Sequence, residues 1–333
     1  MKYWFNYFLR LIVKFALHLF YHRIVVEGKE NIPKNKAVII VSNHQNALID
    51  PLMIATHTRL EPHFLTRASA FRNPFFAKLL DYIRMIPIYR VRDGVKNMEK
   101  NQETFDKSIQ VLLGRGAMLI FGEGSHSTLR NLRPLKKGFA RIAFQTLEKN
   151  PNLDLVILPV GINYSNHFQS GSKVRITFGE CIVANTHYPN FDSLIKTTHQ
   201  GLEKLVVSIP DDNYENLLCS MIEHRIDLTS KVAIDQFIQE TPALNKPLKT
   251  TYLRNKLMKL FHLPLYWSWL RMSRSVKDAT FIATFKFIIG LVGLPIWYFI
   301  FTLVSSALGH KDWAFTYLLL AVIFLLTNKN PQK

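Results

Sequence analysis

The chain is poor in cysteine. Cys181 and Cys219 are the only two in 333 residues, too few for a disulfide framework and in no metal-ligand spacing. Stapled secreted scaffolds and zinc modules are therefore excluded, no metal is expected, and a reducing compartment fits. Negative charge is also scarce: 24 Asp and Glu against 42 Lys and Arg leave a net charge of +18. The common nucleotide and hydrolase signatures are missing. There is no Gly-x-x-x-x-Gly-Lys-Ser/Thr, and Gly114-Arg115-Gly116 precedes an apolar run instead of opening a helix after one. Gly122 to Ser127 does not form the Gly-x-Ser-x-Gly elbow of a serine hydrolase. No cleavable leader pattern opens the chain, so its first residues are expected to be retained. His57, His63, His167, His187, His199, His224, His262 and His310 show no metal spacing and are expected to be structural.

What is present is an unusual pairing, because 48% of residues are hydrophobic despite the net charge of +18. A basic surface attracts nucleic acid, anionic lipid or an acidic carrier protein, and the placement of the apolar residues decides among these. Residues 3 to 20 are apolar and aromatic except for Asn6, Arg10, Lys14 and His18, which recur every four positions as a narrow polar stripe. Two charges near the middle of the stretch disfavour a span, and the spacing predicts a helix lying in a membrane interface over 1–22. Phe287 to Leu308 is a run of 22 residues without a charge, and Trp313 to Thr327 a second of 15, with Gly-His-Lys-Asp between. The first is long enough to cross a bilayer; together, 281–327 reads as a transmembrane or re-entrant hairpin. Arg271, Arg274 and Lys277 precede it, and Lys329 and Lys333 follow. If both runs span, these flanks lie on one side, the cytoplasmic one by the positive-inside tendency, which would place the preceding domain at the cytoplasmic side of the cell membrane. The apolar ends point to an anionic membrane and away from nucleic acid.

Between these ends the pattern changes. Apolar runs at 24–27, 37–41, 63–66, 85–89, 117–121, 155–160 and 174–178 alternate with helical stretches near 51–57, 69–82, 97–113 and 137–149. Such alternation predicts an α/β domain over 23–189 with a mostly parallel central sheet flanked by helices. Residues 190–280 read as a helical accessory region with Pro-marked turns at Pro210, Pro242 and Pro247.

Three candidate sites follow apolar runs, at the ends of strands where open α/β sheets place ligands. The first is Ser42-Asn43-His44-Gln45-Asn46-Ala47-Leu48-Ile49-Asp50-Pro51. A neutral imidazole at His44 can take a hydroxyl proton near neutral pH, and Asp50 could fix its tautomer. Asp-Pro is equally a helix-start pair, so Asp50 could act as a cap instead, or as both. The second site ends in Arg90, suited to a phosphate. The third is Phe121-Gly122-Glu123-Gly124-Ser125-His126-Ser127, followed by Arg130, Arg133, Lys136 and Lys137. Glu123 between two glycines allows close backbone approach to a ligand, and the cations suit phosphate or lipid headgroups.

Together these blocks resemble the glycerophospholipid acyltransferase family, which includes the lysophosphatidate and glycerol-3-phosphate acyltransferases. Residues 42–51 resemble its Asn-His-x-x-x-x-Asp motif, 86–90 its apolar run ending in Arg, and 121–127 its Phe-Pro-Glu-Gly-Thr-Arg-Ser. Ile157-Leu158-Pro159-Val160-Gly161 resembles its fourth motif. The resemblance implies an O-acyltransferase in phospholipid synthesis. His44 would be the base and Asp50 its orienter, while Arg90, Glu123, Gly124, His126 and Arg130 or Arg133 would bind the glycerol-phosphate acceptor. The acyl donor would be a thioester of acyl carrier protein or coenzyme A, with no cofactor and no acyl-enzyme. Three departures stand out: five residues separate His44 from Asp50, Gly122 replaces Pro, and Ser125-His126 replaces Thr-Arg. They resemble a branch that includes glycerol-3-phosphate/dihydroxyacetone-phosphate acyltransferases. A catalytically silent membrane scaffold of the same fold is the rival reading that the longer spacing raises.

Overall fold

A computed structural model describes residues 2–89, 99, 101–239 and 252–327. Every expected apolar run forms a strand: β1 Arg23–Glu27, β2 Ala37–Ser42, β3 His63–Arg67, β4 Met85–Ile88, β5 Ala117–Phe121, β6 Leu155–Tyr164 and β7 Lys173–Phe178. A two-residue β8, Ile182–Val183, is too short to leave a sequence signal. The helices in chain order are α1 Lys2–Phe20, α2 Ile49–His57, α3 Pro74–Tyr82, α4 Asn101–Leu113, α5 Gly138–Lys149 and α6 Phe191–Glu203. They continue with α7 Tyr214–Glu223, α8 Lys231–Gln239, α9 Tyr252–Phe261, α10 Leu263–Ser273, α11 Ile282–Ala307 and α12 Lys311–Leu326.

The strands form one sheet in the order β1-β7-β6-β2-β5-β3-β4, with β8 also pairing β6. From β6 across to β4 all pairs are parallel. Strand β7 runs antiparallel to β6 and parallel to β1. The mostly parallel sheet flanked by helices is the expected fold. Strand β6 runs to Tyr164, beyond the expected end at Val160, because residues 160–164 pair with β7.

Every residue of β2 and β6 is buried, which is why both strands read as unbroken apolar runs. Their alternate residues serve two cores. Val38, Ile40, Val156, Leu158 and Val160 pack with α1, α2 and the start of α11. Ala37, Ile39, Val41, Leu155 and Ile157 pack on the opposite face with α5 and α6. The chain passes from β2 to β3 on one side, while β6 adds on the other, so β2 lies at the point where strand order diverges. Ligand crevices form at such points, beyond the carboxyl ends of the strands. Between 207 and 237 a smaller core of Val207, Ile209, Met221, Leu228, Ile234 and Phe237 gathers α7 and α8.

Helix α1 buries Val13 and Leu17 in the core and leaves an aromatic face outside it. Its stripe meets the protein: Asn6 donates to the Tyr82 carbonyl at 3.0 Å, Arg10 to the Leu60 carbonyl at 3.5 Å, and the His18 ring lies edge-on to His57. Trp4, Phe8 and Phe15 stand outward, at least 63% exposed. An exposed aromatic face of this size marks a lipid or protein contact.

Among the described residues one helix is long and apolar enough to cross a membrane, Ala279–Ala307, with a mean hydropathy of 2.3 over its most apolar 18 residues. Helix α12 has 16 residues, about 24 Å at 1.5 Å per residue, short of a hydrocarbon core of roughly 30 Å. Of the expected transmembrane or re-entrant hairpin, then, the structure supplies one leg of spanning length. After Gly309, at φ +82°, α12 packs back along α11 through Phe301 stacked on Tyr317 at 3.9 Å. The first turns of α11 belong to the sheet domain, where Ala283, Thr284 and Phe287 are buried and Phe287 meets Phe20 of α1.

This division within one helix gives a testable contrast. Phe287→Ala should cost about 3–5 kcal/mol, as for other buried aromatics. Phe299→Ala, at a position 69% exposed, should cost within about 0.5 kcal/mol. Equilibrium unfolding in detergent would measure both; equal costs would show that the head of α11 is not part of the core.

Candidate active site

The site begins where β2 ends. Ser42 makes the last β2 pairs, with Val160 and Phe121, and Asn43 then extends the ladder with its side chain. Its amide donates to the Ile162 carbonyl and its oxygen accepts from the Ile162 N–H, both at 2.9 Å. This reproduces the two-way bonding of a strand neighbour as the backbone turns away. The turn delivers His44 over the end of β5, where its ring stacks on Phe121 at 3.8 Å with 10° between the planes.

Asp50 reaches back to the same point. Helix α2 starts at Ile49, with Leu48 as its cap and no side-chain cap bond, so Asp50 is not the helix cap. Its carboxylate is fully buried and serves the turn instead. Oδ2 lies 2.8 Å from His44 Nδ1 and accepts from the Gln45 and Asn46 N–H groups at 2.8 and 2.7 Å. Oδ1 accepts from the Tyr164 hydroxyl at 2.5 Å. An isolated buried carboxylate would be costly; one holding these donors is compensated. Burial foremost, then the nearby Asp50 charge, lifts the Tyr164 phenol well above its ordinary range, which keeps it a donor. Against the carboxylate, His44 Nδ1 is the protonated nitrogen. Nε2 therefore carries the lone pair and has no partner among the described residues. The extra residue between His44 and Asp50 is absorbed in the 45–48 turn and leaves the pair intact.

The third motif lies beside the first. Ser127 N–H donates to the His44 carbonyl at 2.9 Å, tying the loops together. Gly124 occupies left-handed backbone at φ +74°, where a side chain would be strained. At Gly122 a Cβ would stand 2.9 Å from Leu135 and 3.0 Å from Val41, so those side chains would have to shift. Glu123, 5% exposed, is held by Arg133. Arg133 Nε donates to Glu123 Oε2 at 3.0 Å, Nη2 also meets that oxygen and the Ser125 carbonyl, and Nη1 donates to Ser125 Oγ at 2.8 Å. Burial pushes the Glu123 carboxyl up, with the Arg133 charge acting against that rise. Of the guanidinium's five N–H groups, one on Nη1 is uncommitted among the described residues, so Arg133 can supply the cation that Ser125-His126 lacks.

Arg130 does not share that role. Its side chain is buried, and its guanidinium donates inward to the Tyr164 carbonyl and, at 2.9 Å, to that of Ser165. There it satisfies the end of β6. Burial lowers it to about 10, leaving it charged at neutral pH. Two of its donors thus go to backbone carbonyls, and it is Arg133, not Arg130, that stands against Glu123. His126 stays at the site, edge-on to His44 at 5.5 Å, with Nδ1 3.0 Å from the Thr280 hydroxyl. Arg90 lies outside the described residues.

Several site residues escaped sequence reasoning. Tyr164 ends an apolar strand, where a single phenol is a weak signal. Gln45 and Asn46 lie inside the first motif, and their amides meet the loop after β6: His167 Nε2 is 3.1 Å from Gln45 Oε1, and Asn46 donates to the His167 carbonyl at 2.9 Å. Thr280 lies 154 residues from His126, and no local pattern could join the two. Among the described residues no three His, Cys, Asp or Glu side chains form a group that could hold a metal.

With this geometry in hand, known proteins of similar sequence can be placed beside the chain. A family profile described as acyltransferase matches residues 23–163. The 1-acyl-sn-glycerol-3-phosphate acyltransferase of Borreliella burgdorferi is 30% identical over 209 residues, covering 63% of this chain and 77% of that protein. Glycerol-3-phosphate O-acyltransferase 1 of Saccharomyces cerevisiae is 33% identical over 121 residues, and the match spans 33% of this chain but only 16% of that longer protein. The crystal structure of the 1-acyl-sn-glycerophosphate acyltransferase of Thermotoga maritima aligns with 59% of this chain and 79% of its own, at 24% identity and a TM-score of 0.44.

The geometry of Asp50 separates its two jobs. Asp50→Asn presents an amide where three donors converge on Oδ2, so it should lower turnover at least about tenfold and cost about 1–3 kcal/mol of stability. Tyr164→Phe removes one donor and should cost no more than about 1.5 kcal/mol, with the dyad kept. Steady-state turnover and thermal unfolding of both variants check this; an active, fully stable Asp50→Asn protein would contradict the arrangement.

Proposed function

The chain belongs to the acyltransferase family, and on that footing we propose that it moves a fatty acyl group from an acyl thioester to a hydroxyl of a glycerol-phosphate lipid precursor. The observation that carries the proposal is the 2.8 Å contact of His44 Nδ1 with a fully buried, four-donor Asp50. Nε2 takes the proton of the acceptor hydroxyl while its oxygen attacks the thioester carbonyl. Collapse of the tetrahedral intermediate breaks the C–S bond, and the thiol departs with the proton returned by His44. The buried Asp50 charge stabilises the imidazolium between these events. The step as written draws on no metal, cofactor or covalent acyl-enzyme.

The acceptor is lysophosphatidate or glycerol 3-phosphate, the two chemistries that the names of the similar enzymes carry. Arg133, paired with Glu123 beside His44, supplies the phosphate contact; His126 and the Gly124 turn line the same side, and Arg90 belongs with them by its place in the motif order. The donor is a coenzyme A or acyl carrier protein thioester, either of which brings negative charge to a chain of net charge +18. The aromatic face of α1 and the exposed part of α11 seat the enzyme on an anionic cell membrane. Arg271, Arg274 and Lys277 precede α11, and by the positive-inside tendency they support a catalytic domain on the cytoplasmic face. The dyad survives the longer spacing, which favours an active enzyme over a silent scaffold.

Thiol release from an acyl thioester, with lysophosphatidate or glycerol 3-phosphate added, tests the activity directly. His44→Ala should lower kcat by about 10²–10⁴-fold with the fold retained. Arg133→Ala should raise the KM of the acceptor more than that of the donor. Undiminished turnover in His44→Ala would refute the mechanism, and a donor-selective effect of Arg133→Ala would reverse the pocket assignment.

A further inference from the structure

The head of α11 reaches into the site from outside the stretch that carries the motifs. Asp278 Oδ1 accepts from the Thr280 N–H at 3.0 Å and from its hydroxyl at 2.6 Å. With its proton given to Asp278, the Thr280 oxygen meets His126 Nδ1, 3.0 Å away, as an acceptor. His126 is thereby fixed with Nδ1 as the protonated nitrogen. The second Asp278 oxygen lies 3.7 Å from the same nitrogen, and Phe281 closes edge-on against the ring at 5.4 Å. The same segment grips the first motif: Ala47 N–H donates to the Thr280 carbonyl at 3.3 Å and Leu48 N–H to the Thr284 hydroxyl at 3.2 Å. Thr280 and Thr284 are both buried.

The arrangement repeats that of His44 with Asp50, with a hydroxyl interposed. In each case a carboxylate sets the tautomer of an imidazole and holds the ring in place. The two rings stand edge to face, and the carboxylates approach from different parts of the chain. His126 also occupies the position at which the related motif carries Arg, so its orientation bears on what the acceptor meets there.

We infer that Thr280 and Asp278 are positioning residues for the acceptor side of the site, acting through His126. On this arrangement the apolar helix that opens at Ile282 is both a membrane element and one wall of the acceptor pocket. The inference rests on the proposed acyltransferase reaction, and its test is built to fail separately. Kinetics of the full chain in detergent would use palmitoyl-coenzyme A with glycerol 3-phosphate and with lysophosphatidate. Thr280→Val should raise the acceptor KM about fivefold, the size of one neutral hydrogen bond, with kcat and donor KM within about twofold of wild type. Thr280→Ser, which keeps the hydroxyl, should restore the acceptor KM. In a His126→Asn background the effect of Thr280→Val should shrink below about twofold, because residues acting through one another are not additive.

An active wild type whose acceptor KM is untouched by Thr280→Val overturns the inference alone, as does an equal rise in both backgrounds. Equal losses of kcat and melting temperature in Thr280→Val and Thr280→Ser would reduce the segment to a structural role, and so also overturn it. A wild type inert towards both acceptors would remove the proposed reaction and the inference together.

Discussion

A carboxylate removed from water has to be answered by donors, and the neighbourhood of Asp50 is organised around that requirement. Two of its donors are backbone amides of the turn that carries His44, one is the imidazole itself, and one is the hydroxyl that ends β6. Satisfying the charge therefore fixes the turn, the ring and its tautomer, and the approach of β6 to β2 at one stroke. The spacing between His44 and Asp50 matters less than the convergence. An added residue in the loop is tolerable because the amides that cap the carboxylate come from the loop itself.

The rest of the site is held by the same kind of bonding at one remove. Asn43 extends the sheet past the end of β2, Arg130 closes the carbonyls at the end of β6, and Gln45 and Asn46 fasten the turn to the loop that follows. Arg133 and Glu123 form the second charged pair, less enclosed than the first, with the guanidinium partly open. A closed pair suits proton transfer, where the field must stay constant. A pair with a donor to spare suits recognition of an anion. The buried Arg130 shows the limit of counting cations along a sequence: four positive residues follow the motif, and the nearest of them is spent on main-chain oxygens.

The exposed apolar parts are joined to this site rather than appended to it. Helix α1 packs on the sheet through Val13 and Leu17 and turns aromatics outward, where a helix on a water-soluble domain would carry polar residues. Helix α11 begins in the core beside α1, with Phe287 against Phe20, and becomes exposed along its later turns. Both apolar surfaces thus start from the face of the sheet that carries the α2 helix and its buried carboxylate.

The sequence by itself determined the alternating elements, the seven principal strands, the mostly parallel sheet and the order of the motifs along it. Periodicity and continuous burial are local properties, written in nearest neighbours along the chain. His44, Glu123 and His126 could be singled out for the same reason, since each follows a strand and ligands gather at strand ends, and Asp50 by its short distance from His44 along the chain. What only the tertiary structure decided were the partners. It separated Arg133, at Glu123, from Arg130, on the carbonyls of Tyr164 and Ser165, though the two lie three positions apart. It gave the Asp50 carboxylate its four donors where the sequence had left His44 partner and helix cap both open, and it brought Thr280 to His126 across 154 residues. A hydrogen bond is set by where two groups end up in space, and for groups far apart in the chain that position is fixed only when the sheet and its two cores have packed.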